Sequence, residues 1–145
     1  MNILETFNES IIYIEEHLTD NLSIKDVAEH VYVSTFHFQR MFLIYTGINV
    51  GEYIRSRRLS MAAEDFLAKD VKVIDTAMKY GYETSESFAR AFKKFHGVLP
   101  NQVRRCSGHI KLYPRLEIVV SVKGGTPMEY KITQRDSFKI TILIN

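Results

Sequence analysis

The side chains best suited to specific chemistry in this sequence are Gln39 and Arg40, within the stretch from Ser34 to Thr46. Glutamine and arginine pair bidentately with the adenine and guanine edges that DNA presents in its major groove. In a helix through this stretch, at about 100° per residue, both side chains and Phe36 point away from the apolar face. That face holds Phe38, Met41, Phe42 and Tyr45. The pattern predicts a helix that docks by its apolar side and reads DNA with its free side, although for one helix alone ordinary solvated surface is the default explanation.

The same pattern occurs a second time, fifty residues later. Phe38-x-Arg40-x-Phe42 precedes Gly47, and Phe88-x-Arg90-x-Phe92 precedes Gly97. A duplicated supersecondary unit gives such a period, and two copies are too few for a solenoid. Random surface decoration would seldom repeat an outward arginine in register, so the duplication favours DNA reading over solvated surface.

Each copy also contains a short helix and a turn before the arginine. Ser23 to Asp26 (S-I-K-D) forms a capping box that starts a helix from Ile24 to Val31, and a tight turn follows. In the second copy Asp75-x-Ala77 replaces Asp26-x-Ala28, and the turn, which contains Gly81, is one residue longer. Two short helices joined by about three residues form a helix-turn-helix unit.

The second recognition helix is predicted from Thr84 to Phe95. Its inward side chains are Phe88, Ala91, Phe92 and Phe95, and its outward ones are Glu86, Ala89, Arg90 and Lys93. Arg40 and Arg90 therefore occupy equivalent outward positions.

Three further helices are predicted around these units. An acidic amphipathic helix covers residues 3 to 18, a long helix runs from Val50 to Lys69, and Pro100 suits the first turn of a last helix after Gly97. The buried positions expected on the long helix are Tyr53, Ile54, Leu59, Ala62, Ala63, Phe66 and Leu67. Arg55, Arg57 and Arg58 near its start are candidates for phosphate contacts, or else a solvated basic face.

Length and composition describe one soluble domain, or one domain plus a fragment, of 145 residues with 46% hydrophobic and 25% charged side chains. No apolar run has the length of a membrane span and no signal peptide is recognisable, so we expect a cytoplasmic protein. The single cysteine, Cys106, fits a reducing compartment. The first thirty residues are acidic and the next part of the chain is basic, an asymmetry that suits a protein laying one face on phosphates.

After residue 108 the helical period gives way to alternation, which predicts three short strands. The alternating apolar side chains are Leu116, Ile118, Val120 and Val122, then Met128, Tyr130 and Ile132, then Phe138, Ile140, Ile142 and Ile144. We therefore divide the chain into a helical domain, 1–108, and a β-rich tail, 109–145. A tail of this size is too small to enclose a ligand pocket, so a small-molecule effector is not expected, and the oligomeric state stays open.

Together these residues resemble the AraC/XylS family of transcriptional regulators, particularly its MarA/SoxS/Rob-like DNA-binding domain. The resemblance runs from about Ile11 to Arg105 and is strongest in F-H-F-Q-R-M-F (36–42), G-E-Y-I-R-S-R-R-L (51–59) and the stretch 77–100. It implies an all-α fold of seven helices, in which a long central helix joins two helix-turn-helix subdomains. It also implies a non-enzymatic DNA-binding regulator, usually an activator that contacts RNA polymerase, whose two recognition helices (34–46 and 84–95) enter successive major-groove segments. The tail resembles the truncated start of a GyrI-like effector-binding domain.

Carried over by position, the resemblance assigns the DNA contacts residue by residue. They are Thr35, Phe36, His37, Gln39 and Arg40 in the first helix and Ser85, Glu86, Ala89 and Arg90 in the second. The further candidate DNA contacts are Lys93, from the outward face of the second helix, and Arg55 and Arg57, from the basic cluster of the long helix. Phe36 stands where MarA-like members have tryptophan, and Glu86 stands where a neutral polar residue is expected. Leu43 and Ile44 follow Arg40 where polar or basic residues are usual, which suggests a missing phosphate contact or a protein contact.

Two other classes of function stay open on the sequence alone. One is a DNA-repair alkyltransferase that uses Cys106, although no reactive context surrounds this thiol. The other is a helical protein-interaction module, supported by the acidic first helix and by Leu43 and Ile44. No cofactor is implied, and the five histidines show no paired ligand spacing for a metal; His17, His30, His37 and His96 are expected at helix surfaces or boundaries.

Overall fold

The computed structural model describes residues 2–105, 110–122, 124, 130–134 and 139–144. The described residues form six α-helices, one 3-10 helix and three strands. In chain order these are α1 (Ile3–Glu16), α2 (Ile24–His30), α3 (Thr35–Thr46), α4 (Val50–Ala68), α5 (Val73–Lys79), α6 (Ser85–His96), the 3-10 helix (Pro100–Gln102), β1 (Glu117–Val122), β2 (Tyr130–Gln134) and β3 (Lys139–Ile144). The predicted all-α class with a short β tail is confirmed.

The chain divides into two compact units. The first comprises Met1–Glu15, Ser23–Val50 and Pro114–Asn145, and the second comprises Glu16–Leu22 and Gly51–Tyr113. The pair α2 and α3 lies in the first unit, and the pair α5 and α6 lies in the second. Each unit thus contains one helix-turn-helix pair. The boundary drawn at residue 108 from the sequence stays a prediction.

The core of the first unit is built by α1, α2 and α3. The ring of Phe7 on α1 stacks on that of Phe42 on α3 with centroids 5.2 Å apart, and Phe38 meets Phe42 edge-on. Val27 and Ala28 on α2 are fully buried. The predicted capping box is present: Asp26 N donates to Ser23 Oγ at 3.0 Å, and Ser23 N donates to an Asp26 carboxylate oxygen at 3.1 Å. Side-chain burial fixes the orientation of α3, because its apolar face is stable only when it packs against the core.

The core of the second unit is an aromatic and aliphatic cluster between α4, α5 and α6. Its buried members are Leu59, Ala62, Ala63, Phe66, Ala77, Tyr80, Phe88, Phe92 and Val103. The Phe66 ring on α4 meets the Phe92 ring on α6 edge-on at 5.8 Å. These contacts hold the apolar face of α6 against α4, so the opposite face of α6 is exposed.

The strands of the tail pair in the order β1-β3-β2. β1 runs parallel to β3, with Glu117 opposite Lys139, and β2 runs antiparallel to β3, with Tyr130 opposite Ile144. The alternation of the sequence therefore predicted the strands correctly at the level of the backbone. Met128 and Phe138, which were predicted to extend two of them, lie outside the described residues.

Three predictions about the helices were wrong: the seventh helix, the burial of Leu67 and the end of the first helix. The expected seventh helix is a single 3-10 turn, Pro100–Gln102, and the described residues that follow it, 103–105, form a turn. Leu67 is 41% exposed, since it lies beyond Phe66, the last side chain of α4 that reaches the core. His96, expected at a helix surface or boundary, is the last residue of α6, and it is only 3% exposed because it continues the face of Phe88 and Phe92 at four-residue spacing. The first helix ends at Glu16, two residues before its predicted end.

None of the described helices combines the length and the apolar composition that crossing a membrane requires.

Candidate nucleic-acid interface

The ends of α3 are fixed by a cap at each side. Ser34 is the N-cap, and its Oγ accepts a hydrogen bond from His37 N at 3.1 Å. Gly47 ends the helix in the left-handed conformation, with φ of 74°, and its N–H donates to Leu43 O at 2.8 Å. Both devices satisfy backbone groups that a helix end leaves free. The helix therefore begins and ends at defined residues.

The free face of α3 carries the predicted reading residues. Phe36 is 73% exposed, and His37, Gln39 and Arg40 are exposed beside it, while Thr35 is half-buried. No hydrogen bond or ion pair within the described parts of the chain engages the side chains of Gln39 or Arg40. An exposed phenylalanine next to an unengaged amide and guanidinium is an arrangement that can meet a thymine methyl, an adenine and a guanine.

The second helix, α6, has the same caps at equivalent positions. Thr84 Oγ1 accepts from Ser87 N at 3.1 Å, and Gly97, with φ of 82°, donates its N–H to Lys93 O at 2.8 Å. Each of these bonds repeats one of α3, fifty residues later. Corresponding side chains of the two helices therefore lie at the same positions relative to the helix caps.

The free face of α6 carries Glu86, Arg90 and Lys93 as exposed side chains, with Ser85 and Ala89 half-buried. An open groove of about 530 Å³ runs beside Glu86 and Ala89 and is bounded by side chains of α5 and of the segment after α6. Of the four outward positions predicted, only Ala89 is half-buried. Within the described residues, Glu86 and Arg90 engage no partner by hydrogen bond or ion pair.

The turns that precede the two helices also correspond. Tyr32 and Gly81 both have positive φ, of 61° and 86°. The next residue closes each turn in the same way: Val33 N donates to Ala28 O at 3.1 Å, and Tyr82 N donates to Ala77 O at 2.9 Å. The extra residue of the second turn is thus Glu83, which lies between this bond and the Thr84 cap.

The three arginines near the start of α4 differ in their hydrogen-bond partners. Arg55 is exposed and engages no hydrogen-bond partner among the described residues. Arg57 Nη1 donates to Tyr113 O at 2.6 Å. Arg58 donates from Nε to Leu18 O at 2.8 Å and from Nη2 to Asp20 O at 2.9 Å. Of the two arginines predicted to contact DNA, Arg55 is available, whereas Arg57 already binds a carbonyl of its own unit.

Burial governs the electrostatics around this cluster. It lowers the pKa of the Arg58 guanidinium from its ordinary value, although arginine stays protonated in proteins. It raises the pKa of the Tyr82 phenol, an effect that the charges of Arg55 and Arg58 oppose. The Arg58 guanidinium is therefore half-buried, and the raised pKa keeps the Tyr82 phenol neutral at neutral pH.

The described residues offer little support for a metal site or for thiol chemistry. Within the described ranges, no group of three or more His, Cys, Asp or Glu side chains could hold a metal ion. Cys106 and His109 lie outside the described residues, so the alkyltransferase hypothesis has no geometry to support it. His30 contacts Glu9 at 3.3 Å and stacks on Tyr13, and His37 is exposed beside the reading residues.

Comparisons with known proteins agree with this arrangement. A family model described as a helix-turn-helix domain matches residues 27–106. The chain is 39% identical over 97 residues to the HTH-type transcriptional activator AarP of Providencia stuartii, which covers 67% of this chain and 72% of AarP. It spans about a third of the length of several longer relatives.

Solved structures show the same fold. The C-terminal domain of AraT, a response regulator from Geobacillus stearothermophilus, superposes with a TM-score of 0.66 and 31% identity, over 74% of this chain and 87% of that domain. The DNA-binding domain of AdpA, solved in complex with a target DNA, superposes with a TM-score of 0.64 over 69% of this chain and 90% of that one. Its identity of 22% makes it evidence for the fold alone. The matched helix-turn-helix model, the similarity to AarP and the shared architecture establish that this chain belongs to the AraC family of helix-turn-helix transcriptional regulators.

Proposed function

We propose that this protein binds double-stranded DNA at specific sequences and activates transcription, with α3 and α6 each entering a segment of the major groove. The observation that carries the proposal is the exposed, unengaged arginine that occurs at the same position between matching caps in both helices. An arginine that projects from a capped helix and has no partner in the protein is suited to bidentate contact with guanine. Two such helices in one chain supply the pair of readers that dimeric repressors obtain from two subunits.

In the first recognition helix, α3, Arg40 contacts guanine, Gln39 contacts adenine, and Phe36 contacts a thymine methyl. Thr35 and His37 lie beside them as flanking contacts. These roles rest on the exposure of each side chain and on the absence of engaged partners for Gln39 and Arg40 in the described structure.

In the second reader, Arg90 takes guanine and Lys93, one turn later, contacts a phosphate. Ser85, Glu86 and Ala89 complete its face. Arg55 is suited to a phosphate contact because its guanidinium is exposed. A contact from Arg57 would require it to give up the hydrogen bond to Tyr113 O, so we assign Arg57 to holding that segment.

The decisive experiment is selection of bound sequences from a random duplex pool, followed by affinity measurements on the selected site. Arg40→Ala and Arg90→Ala should each cost about 1 to 3 kcal/mol of binding free energy and relax the preference at one base pair. Arg115→Ala is a matched control, because Arg115 is exposed and lies outside both helix-turn-helix pairs. Loss of affinity that is equal on all sequences would show that Arg40 and Arg90 contact phosphate only.

A second candidate function is a protein-interaction module, favoured by the exposure of Leu43 and Ile44 on α3, at 49% and 63%. Salt separates the two functions. DNA binding should weaken steeply as salt rises because cationic side chains displace condensed counterions, whereas an apolar protein interface should change little.

The activating role implies RNA polymerase as a partner and the cytoplasm as the compartment. Transcription in vitro from a promoter that carries the selected site tests the first point directly. A rise in transcript with the protein present, lost in Arg40→Ala, supports activation, and a fall would identify a repressor.

A further inference from the structure

The reading faces of α3 and α6 agree at one position and differ at another. Arg40 and Arg90 are both exposed and occupy the same place relative to the N-caps Ser34 and Thr84. One helical turn earlier, and on the same side of the helix, α3 carries Phe36 and α6 carries Glu86. Both side chains are exposed. The two helices therefore share an arginine but differ in the residue one turn before it.

The exchanged side chains suit different pyrimidines. Phe36 offers only apolar contact, and the C5-methyl group of thymine is the apolar feature of the major groove. The carboxylate of Glu86 only accepts hydrogen bonds, so it needs a base that donates. Cytosine donates from N4, and adenine donates from N6 but places its acceptor N7 alongside. Cytosine is thus the base that Glu86 fits best.

The charge of Glu86 also works against the other bases. Guanine presents O6 and N7 and thymine presents O4, all of which are acceptors that repel a carboxylate. Arg90 lies four residues away on the same helix, yet no ion pair joins it to Glu86 in the described structure. The carboxylate is therefore free to penalise a wrong base as well as to reward the right one, which is how many specific interfaces discriminate.

On the basis of the function proposed above, we propose that the two half-sites share a guanine and differ in the pyrimidine that accompanies it. Arg40 and Arg90 read the guanines, Phe36 reads a thymine, and Glu86 reads a cytosine. The identity of the pyrimidine in each half-site is set by the residue two positions after the N-cap. The residue thus acts as an independent specificity determinant in each copy of the duplicated unit.

An alternative explanation is that Glu86 only stabilises the first turn of α6, where a negative charge interacts favourably with the helix dipole. That role would change stability and leave base preference unaltered. Base preference is therefore the measurement that separates the two explanations.

The experiment is selection from a random duplex pool at fixed salt, with the full chain as wild type and as Glu86→Gln, Glu86→Phe and Phe36→Glu. Wild type should select thymine in one half-site and cytosine in the other. Glu86→Gln should change that cytosine to adenine and Glu86→Phe should change it to thymine, each without altering the other half-site. Phe36→Glu should change the thymine to cytosine. A matched base should bind about tenfold more tightly than a mismatched one.

A chemical substitution in the DNA gives a second test. Replacing the selected thymine by uracil removes only the methyl group, so it should weaken binding by wild type and have little effect on Phe36→Glu. Thermal unfolding of each variant checks the fold, which substitutions at these exposed positions should preserve.

The outcomes separate this inference from the function on which it rests. If wild type selects a specific site but the variants at Glu86 keep the same preference at every base pair, the inference is overturned and the proposed function stands. If wild type selects no sequence at any salt concentration, the proposed function itself falls and the inference falls with it. The base changes stated above, each confined to one half-site per variant, would support both.

Discussion

Replacing Arg58 with alanine should cost this protein about 2 kcal/mol in free energy of unfolding. The guanidinium of Arg58 holds the segment after α1 by two hydrogen bonds, from Nε to Leu18 O at 2.8 Å and from Nη2 to Asp20 O at 2.9 Å. A hydrogen bond from a charged donor contributes about 1.5 to 3 kcal/mol. The Leu18 bond is partly buried and the Asp20 bond is exposed, so we take the lower value for the first and much less for the second.

The assay is urea unfolding followed by circular dichroism, supported by a thermal melt in which the loss should appear as about 6 °C. Arg55→Ala is the matched control. It removes the same side chain one turn earlier on the same helix, but Arg55 is exposed and should change stability by less than about 0.5 kcal/mol. Equal stability of Arg58→Ala and wild type, or an equal loss in Arg55→Ala, would refute the division of the cluster into structural and available arginines.

Binding to DNA should order these two variants the other way. The guanidinium of Arg58 is engaged by the carbonyls of Leu18 and Asp20, so folded Arg58→Ala should keep the salt dependence of wild type. If Arg55 contacts phosphate, Arg55→Ala should weaken binding on all sequences and reduce the slope of log affinity against log salt by about one.

Other substitutions test the caps, the turns and the buried histidine. Ser34→Ala and Thr84→Ala should each cost about 1 kcal/mol in urea unfolding, because each removes an N-cap acceptor. Gly81→Ala should cost about 1 kcal/mol, whereas Tyr32→Gly should cost nothing or stabilise slightly, because both residues have positive φ. Burial lowers the pKa of His96 below its ordinary value of 6.5. Its contribution to stability is therefore fully present above 6.5 and is lost as the pH falls from there toward the folded-state pKa, so His96→Gln should reduce the fall in urea midpoint between about pH 7.5 and 5.5.

Local patterns predicted the elements that position the reading face. Helical spacing of apolar side chains, the S-I-K-D capping box and the two glycines after the recognition helices each depend on residues within a few positions of one another. The structure has these features where the sequence places them, including the exposed side chains of Gln39 and Arg40. Comparison of the chain with itself added the register between the two helices.

Most of the features that were missed depend on partners that are distant in the sequence. Arg57 and Arg58 bind carbonyls at residues 113, 18 and 20, which no pattern near residue 57 indicates. His96 is buried because its ring packs on Phe92 and its Nε2 lies 2.9 Å from Leu59 O. The positive φ of Tyr32 is unexpected for a residue with a side chain, and only its equivalence to Gly81 points to it.

The energetics of base reading explain why one chain would carry two recognition helices. A well-formed bidentate contact discriminates against a wrong base by about 1 to 3 kcal/mol, so with the base contacts proposed above the pair Gln39 and Arg40 would supply about 2 to 6 kcal/mol. Specific binding exceeds non-specific binding by about 4 to 10 kcal/mol in typical regulators. One helix with two such contacts reaches only the lower part of that range. In the proposed mode of binding, Arg90 and Glu86 would extend the total into the rest of it. Because α6 has the same caps as α3, the second helix can read a different base sequence without any change to the fold.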